Sequence, residues 1–99
     1  MRSKWNFLTN HAHVMVCLSK SQDATLREIA NQVGITERTT HRIIDELVDE
    51  GVIKKSRHGR GNRYELNLDF PLRHPLEESI SIGMLLRAVV SAGKREKRK

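Results

Sequence analysis

Apolar residues recur along the chain at helical spacing, interrupted once by a stretch that alternates. Ala12, Met15 and Val16 form one stripe, with Val14, Cys17 and Leu18 beside it. Together they predict a helix running to about Lys20 that is buried over a broad face and capped by Thr9 or Asn10. The eight residues before it read as extended or irregular, with Trp5, Phe7 and Leu8 supplying apolar surface. Ser21 to Ala24 reads as a loop. Thr25-Leu26-Arg27-Glu28 then fits a capping box, in which the threonine hydroxyl accepts a backbone N–H three residues on and the glutamate reaches back. Leu26, Ile29, Ala30 and Val33 follow on one face, and Gly34 is placed to end that helix in a left-handed conformation. Thr36 caps a third helix from about Glu37 to Glu50, with Thr40, Ile43, Ile44, Leu47 and Val48 inward and Gly51 as its stop.

Beyond Gly51 the period changes. Val52 to Arg57 and Arg63 to Leu68 read as two short strands, with Tyr64 and Leu66 alternating against Arg63, Glu65 and Asn67. The five residues His58 to Asn62 contain two glycines and make the tip of a hairpin. Pro71 and Pro75 bracket an irregular link, and Pro75 suits the first turn of a last helix ending before Gly93. That helix, from Leu76 to Ala92, has an apolar arc too wide for one that only leans on a small domain. Leu76, Ile80, Met84 and Ala88 are expected to pack inward, and Ile82, Leu85, Leu86 and Val89 to face out. Gly83 between them would admit a second helix closely, so a homodimer through this helix is expected.

Length and charge narrow the possibilities. The 99 residues are 37% hydrophobic and only 4% aromatic, so one domain with a Leu, Ile and Val core is all they can build. Basic residues concentrate in two places: Lys54, Lys55, Arg57, Arg60 and Arg63 on the hairpin, and the tail from Lys94 to Lys99. These segments carry +5 and +4 of a net +6, which leaves a mildly acidic body. Such local concentration favours a polyanion, nucleic acid before a membrane. No apolar run approaches the ~20 residues that span a bilayer, and the single cysteine suits a reducing cytoplasm. No phosphate-binding glycine loop, Cys-x-x-Cys pair or His-Glu-x-x-His motif is present, and neither an enzyme nor a cofactor is expected.

The order helix, helix, glycine turn, helix, basic hairpin defines a winged helix-turn-helix, mainly α with a small β-hairpin. Leu26 through Thr36, then Thr39 to Leu47 and Gly51-Val52-Ile53, resemble the winged helix-turn-helix of prokaryotic transcription regulators of the MarR and ArsR type. The resemblance covers residues 7–68 as the DNA-binding unit. Residues 75–92 are read as a dimerisation helix and 93–99 as a basic disordered tail. Thr40 departs from the pattern, since such families usually carry valine there. The resemblance implies double-stranded DNA binding and transcription regulation.

The third helix has a polarity that suits this role. Its first half shows Glu37, Arg38, Thr39, His41 and Arg42 outward, whereas its second half shows Asp45, Glu46, Asp49 and Glu50. Arg38 and Arg42 are one turn apart, and arginine on guanine O6 and N7 is the commonest specific base contact. Thr36 can offer its hydroxyl or backbone N–H to a phosphate. Arg57, Arg60 and Arg63 are expected on the backbone or in the minor groove. The opposing interpretation of the helix pairs its arginines with Glu37, Asp45 or Glu46 on a solvated face. His11, His13 and Cys17 lie on one helix, as metal ligands do in some ArsR-type sensors, but they lack a fourth ligand and are read as structural. A winged helix that binds another protein is the main alternative. RNA binding is a weaker one, because Tyr64 is the only aromatic residue near the basic surface.

Overall fold

The computed structural model describes residues 5–97, with side chains from 5 to 90. The elements in order are α1 (Asn10–Lys20), α2 (Leu26–Val33), α3 (Glu37–Asp49), β1 (Ile53–His58), β2 (Gly61–Leu66) and α4 (Ile82–Lys97). The first three helices form as their caps dictate. Thr9 accepts from the Ala12 N–H, and Thr25 and Glu28 make the reciprocal capping box. Gly34 sits at φ +89°, where a side chain would be strained, and its N–H donates to the Ala30 carbonyl at 2.8 Å. The chain then turns sharply into α3, whose first turn is closed by the Thr36 hydroxyl accepting from Thr39 N–H at 3.0 Å.

The core lies between α1, α2, α3 and the base of the hairpin. Val14, Leu18, Ile29, Ile43 and Ile44 are essentially inaccessible, and Val52, Ile53, Tyr64 and Leu86 complete the cluster. Thr40 is fully buried among them and donates its hydroxyl to the Thr36 carbonyl at 2.9 Å. The departure from valine therefore leaves no unsatisfied group, and it adds a second lock on the start of α3. Cys17 is buried, and burial pushes its thiol above the ordinary range.

The strands β1 and β2 pair antiparallel, with Ile53 opposite Leu66 and His58 opposite Gly61. The ladder therefore runs further than a five-residue tip allows. Gly59 adopts φ +62°, which lets a two-residue turn of Gly59 and Arg60 reverse the chain. Backbone bonds from Tyr64 N–H to the Gln22 carbonyl and from Val52 N–H to the Leu47 carbonyl fix the hairpin to the helical body, and Asn67 N–H to the Val52 carbonyl extends its base.

The end of the chain differs most from expectation. No helix starts at Pro75. Residues 70–82 instead form a closed loop, joined by Ile82 N–H to Phe70 O at 2.8 Å and Leu72 N–H to Ile80 O at 3.0 Å. Ser81 is the residue that caps α4, accepting from Met84 N–H at 3.2 Å. The two expected faces are also inverted. Leu86 is buried and Ile82 packs against the core, whereas Leu76, Ile80 and Met84 are exposed. The helical backbone also continues past Gly93 to Lys97, in place of the disordered tail that the sequence suggests; residues 1–4 and 98–99 lie outside the described part of the chain.

Gly83 makes its close approach within the chain. Its N–H donates to the Leu68 carbonyl at 2.9 Å, and a Cβ there would lie 2.9 Å from that same oxygen and 3.0 Å from the Leu68 Cβ. Gly83→Ala should therefore destabilise the fold by about 1–3 kcal/mol in urea unfolding, as overpacking does. A change below the error of the measurement would show that this junction yields freely.

Candidate nucleic-acid interface

The exposed surface of α3 divides as its sequence does. Arg38, His41 and Arg42 are exposed in the first half and Thr39 is half-buried, while Asp45, Glu46, Asp49 and Glu50 line the second. The cations are not equivalent. Arg38 makes no ion pair among the described residues, so its guanidinium is available to a ligand. Arg42 donates from Nη1 to Glu46 Oε2 at 3.1 Å, one turn along the helix. His41 Nδ1 lies 3.4 Å from Asp45 Oδ2. The pairing of arginine with acid along α3 is thus present at Arg42 and, among the described residues, absent at Arg38.

Thr36 has little hydroxyl capacity left. Its oxygen accepts the Thr39 N–H and donates to Thr39 Oγ1 at 3.0 Å. What remains at this end is the first-turn backbone N–H groups of Glu37 and Arg38, which no helical carbonyl can reach. Glu37 itself lies 3.5 Å from Arg27, a contact that ties α2 to the start of α3.

On the hairpin, Ser56 faces Arg63 and Arg57 faces Asn62, so Arg57 and Arg63 project from opposite faces of the ribbon. Arg63 turns toward the loop after α1, with Nη2 donating to Gln22 Oε1 at 3.0 Å and Nη1 4.0 Å from Asp23. Arg60 sits in the turn itself and, like Arg57, has no ion pair among the described residues. Of the arginines and histidine expected to contact DNA, Arg38, Arg57 and Arg60 thus make no ion pair among the described residues, and Arg42, His41 and Arg63 are tethered.

Two features have no counterpart in the sequence reading. His11 reaches from α1 to Glu46, with Nε2 2.7 Å from Oε1, so the Glu46 carboxylate serves Arg42 with one oxygen and His11 with the other. The His11 hydrogen bond, followed by the Arg42 contact, holds the Glu46 carboxyl below its usual range. The four-residue spacing of Arg42 and Glu46 is visible in the sequence, but nothing local signals a contact with His11. The second feature is a cavity of about 500 Å³ between α1, the end of α3, the 70–82 loop and α4. Met15, Leu47, Val52, Phe70, Leu85 and Leu86 supply most of its apolar wall. A chain this short would be expected to form a pocket only at a dimer interface, yet this one is complete within a single chain and has the size of a small-molecule site.

His13 and Cys17 are engaged separately. His13 Nδ1 is 3.2 Å from Asn10 Oδ1, and Cys17 is in the core. Among the described residues, no group of three or more His, Cys, Asp or Glu side chains could hold a metal ion. Nor, among them, is any helix long and apolar enough to cross a membrane.

Residues 12–54 match the sequence profile of a family described as winged helix-turn-helix DNA-binding. Among solved structures, the chain is similar to ZitR, a zinc-responsive MarR family member of Lactococcus lactis, at a TM-score of 0.51 and 22% identity over 67% of this chain and 47% of that one. It is also similar to SP03579, a MarR family transcription regulator, at a TM-score of 0.51 and 20% identity over 92% of this chain and 54% of that one. In sequence it is 35% identical over 63 residues to the uncharacterized protein MJ1254 of Methanocaldococcus jannaschii, which is 63% of this chain and 13% of that protein. The chain thus spans about half the length of these solved structures and a small part of the archaeal protein. The fold is thus that of a winged helix-turn-helix, and the match to the winged helix-turn-helix DNA-binding profile falls in residues 12–54.

Proposed function

We propose that this protein is a transcription regulator that binds double-stranded DNA sequence-specifically as a homodimer. In this reading α3 enters the major groove with Arg38, Thr39, His41 and Arg42 toward the bases. Arg57 and Arg60 on the hairpin meet the backbone or the minor groove, and Arg63 supports the hairpin base. The observation that carries the reading is the polarity of α3 on a helix-turn-helix scaffold: cations and hydroxyls dominate its leading half, where the carboxylate of Glu37 is paired with Arg27, and carboxylates dominate the half behind. The acidic half would be repelled by phosphate, so only one end of the helix can lead. Selection from random duplex DNA tests it. A recovered motif with two-fold symmetry is the expected outcome, and recovery of no preferred sequence rejects specific binding.

The dimer contact is proposed at the face left uncovered by Leu76, Ile80 and Met84, which are 89%, 39% and 51% exposed. This replaces the face expected from the sequence, since Leu86 is buried in its own chain. Sedimentation at tens of micromolar should give a dimer, and Ile80→Glu with Met84→Glu should give a folded monomer. A wild-type monomer at that concentration rejects the dimer, and a dimer that survives both substitutions removes this face from the interface.

ZitR responds to zinc; no zinc response is proposed for this chain, because His11, His13 and Cys17 are committed to separate partners. Adding Zn²⁺ or a chelator should leave DNA affinity unchanged, and Cys17→Ser should show only a small packing loss. A stoichiometric zinc site lost in His13→Ala would overturn this.

A further inference from the structure

We infer that Glu46 is a positioning residue for base reading, holding the Arg42 guanidinium in place through a carboxylate that His11 anchors from the neighbouring helix. The inference rests on the DNA-reading role proposed for Arg42. Its basis is the division of labour within one carboxylate. Oε2 takes Arg42 Nη1 at 3.1 Å, and Oε1 takes His11 Nε2 at 2.7 Å. An i,i+4 ion pair on an open helix is ordinarily loose, since both side chains can move and water competes. Here one partner is tied to a second helix. α1 and α3 pack through the buried Val14, Leu18, Ile43 and Ile44, so the His11 bond spans a rigid junction. Glu46 cannot simply follow Arg42 into solvent without giving up the shorter of its two bonds.

The tether leaves the reading edge of Arg42 open. Among the described residues, only Nη1 of its three nitrogens is bonded, so Nε and Nη2 can still donate to the O6 and N7 of a guanine. Arginine loses much rotamer freedom when it is immobilised at an interface. Holding it beforehand improves binding at its base pair by about 3- to 10-fold. The arrangement has an opposite effect elsewhere: a carboxylate beside the DNA weakens attraction to every sequence through the phosphates. Glu46 therefore lowers general affinity and raises discrimination, two effects with opposite signs. Arg38, with no such ion pair among the described residues, reads or grips without being held.

The test measures affinities of the 99-residue chain and its variants for three duplexes. These are the selected site, the site with the base pair sensed by Arg42 replaced, and a random sequence. Glu46→Ala should bind the random duplex about 2- to 5-fold more tightly, as expected for removing one negative charge near phosphates. Its preference for the intact site over the replaced one should fall about 3- to 10-fold. Glu46→Gln, which keeps the shape, should move both quantities the same way, and His11→Ala should reduce the preference without raising random binding as far. In Arg42→Ala, the further change Glu46→Ala should leave the preference where Arg42→Ala put it. Glu46 is about half exposed, and thermal melting of each variant confirms that the fold persists. If Glu46→Ala raises affinity for all three duplexes equally while Arg42→Ala still loses its base pair, Glu46 is only a background charge and the inference fails alone. If Arg42→Ala leaves every preference intact, the reading role of α3 fails and the inference falls with it.

Discussion

Arg42→Ala is expected to cost about 1–3 kcal/mol at the selected site and to relax preference at one base pair, whereas Arg60→Ala is expected to weaken binding to all sequences alike. The two residues differ in how they are presented. Arg42 projects from the exposed face of a helix whose backbone is fixed by the Thr36 cap and by the buried Ile43 and Ile44. A side chain on so rigid a base can be aimed at one base edge. Arg60 sits in a two-residue turn at the end of a two-stranded ribbon and has no ion pair among the described residues. A long cation at such a tip suits phosphates, which recur along any sequence. Withdrawing one cation from the phosphates should reduce the slope of log affinity against log salt by about 0.9. Titrations at several salt concentrations, on selected and random duplexes, separate the two behaviours. Equal weakening on both duplexes from both substitutions would remove base reading from α3.

Leu18→Ala should destabilise the fold by about 2–5 kcal/mol, which is a large share of the roughly 5–15 kcal/mol that holds a domain of this size together. Leu18 is wholly inaccessible and sits where α1 meets Ile29 of α2 and the two isoleucines of α3. The void left behind would be lined by branched side chains on separate helices, which cannot collapse together without disturbing one another. Phe7 provides the comparison, being larger but 91% exposed, so Phe7→Ala should change stability by no more than about 0.5 kcal/mol. Urea unfolding of the two variants gives the ordering directly. A Leu18→Ala effect under about 1 kcal/mol, well short of a core truncation, would mean that the three-helix junction is not the centre of stability.

The parts of this fold that are legible in the sequence are those governed by neighbours. The capping box at Thr25 and Glu28, the glycine at 34 and the cap at Thr36 are each complete within a few residues, and all form as expected. The last helix starts elsewhere than its local pattern suggests because its start is decided at a distance. Pro75 offers a plausible first turn, but the bonds joining Phe70 to Ile82 and Leu72 to Ile80 occupy that backbone differently and hand the cap to Ser81. The bonds that seat Ile82 on Phe70 and Gly83 on Leu68 set which face of the helix meets the body, and Leu86 lies inward and Met84 outward. The candidate interface follows the same division. The exposure of Arg38 and Arg60 can be read from pattern, whereas the tether of Arg63 to Gln22 and of Glu46 to His11 joins residues 41 and 35 positions apart.

The contact between Gly83 and Leu68 also acts as a ruler. Because Gly83 lies one residue into α4 and is seated directly on the backbone that leaves β2, the axis of α4 departs from the winged domain at one fixed point. Two chains joined along α4 would carry their recognition helices at a separation set by that junction and by the register of the α4 pair. Successive major grooves on one face of a duplex are about 34 Å apart, while a single helical turn of slippage along α4 displaces a chain by about 5.4 Å. A one-turn change in the pairing of α4 would therefore shift the recognition helices by roughly one and a half base-pair steps, taking ten to the ~34 Å turn. The spacing of half-sites in the operator would then report the register of α4 directly.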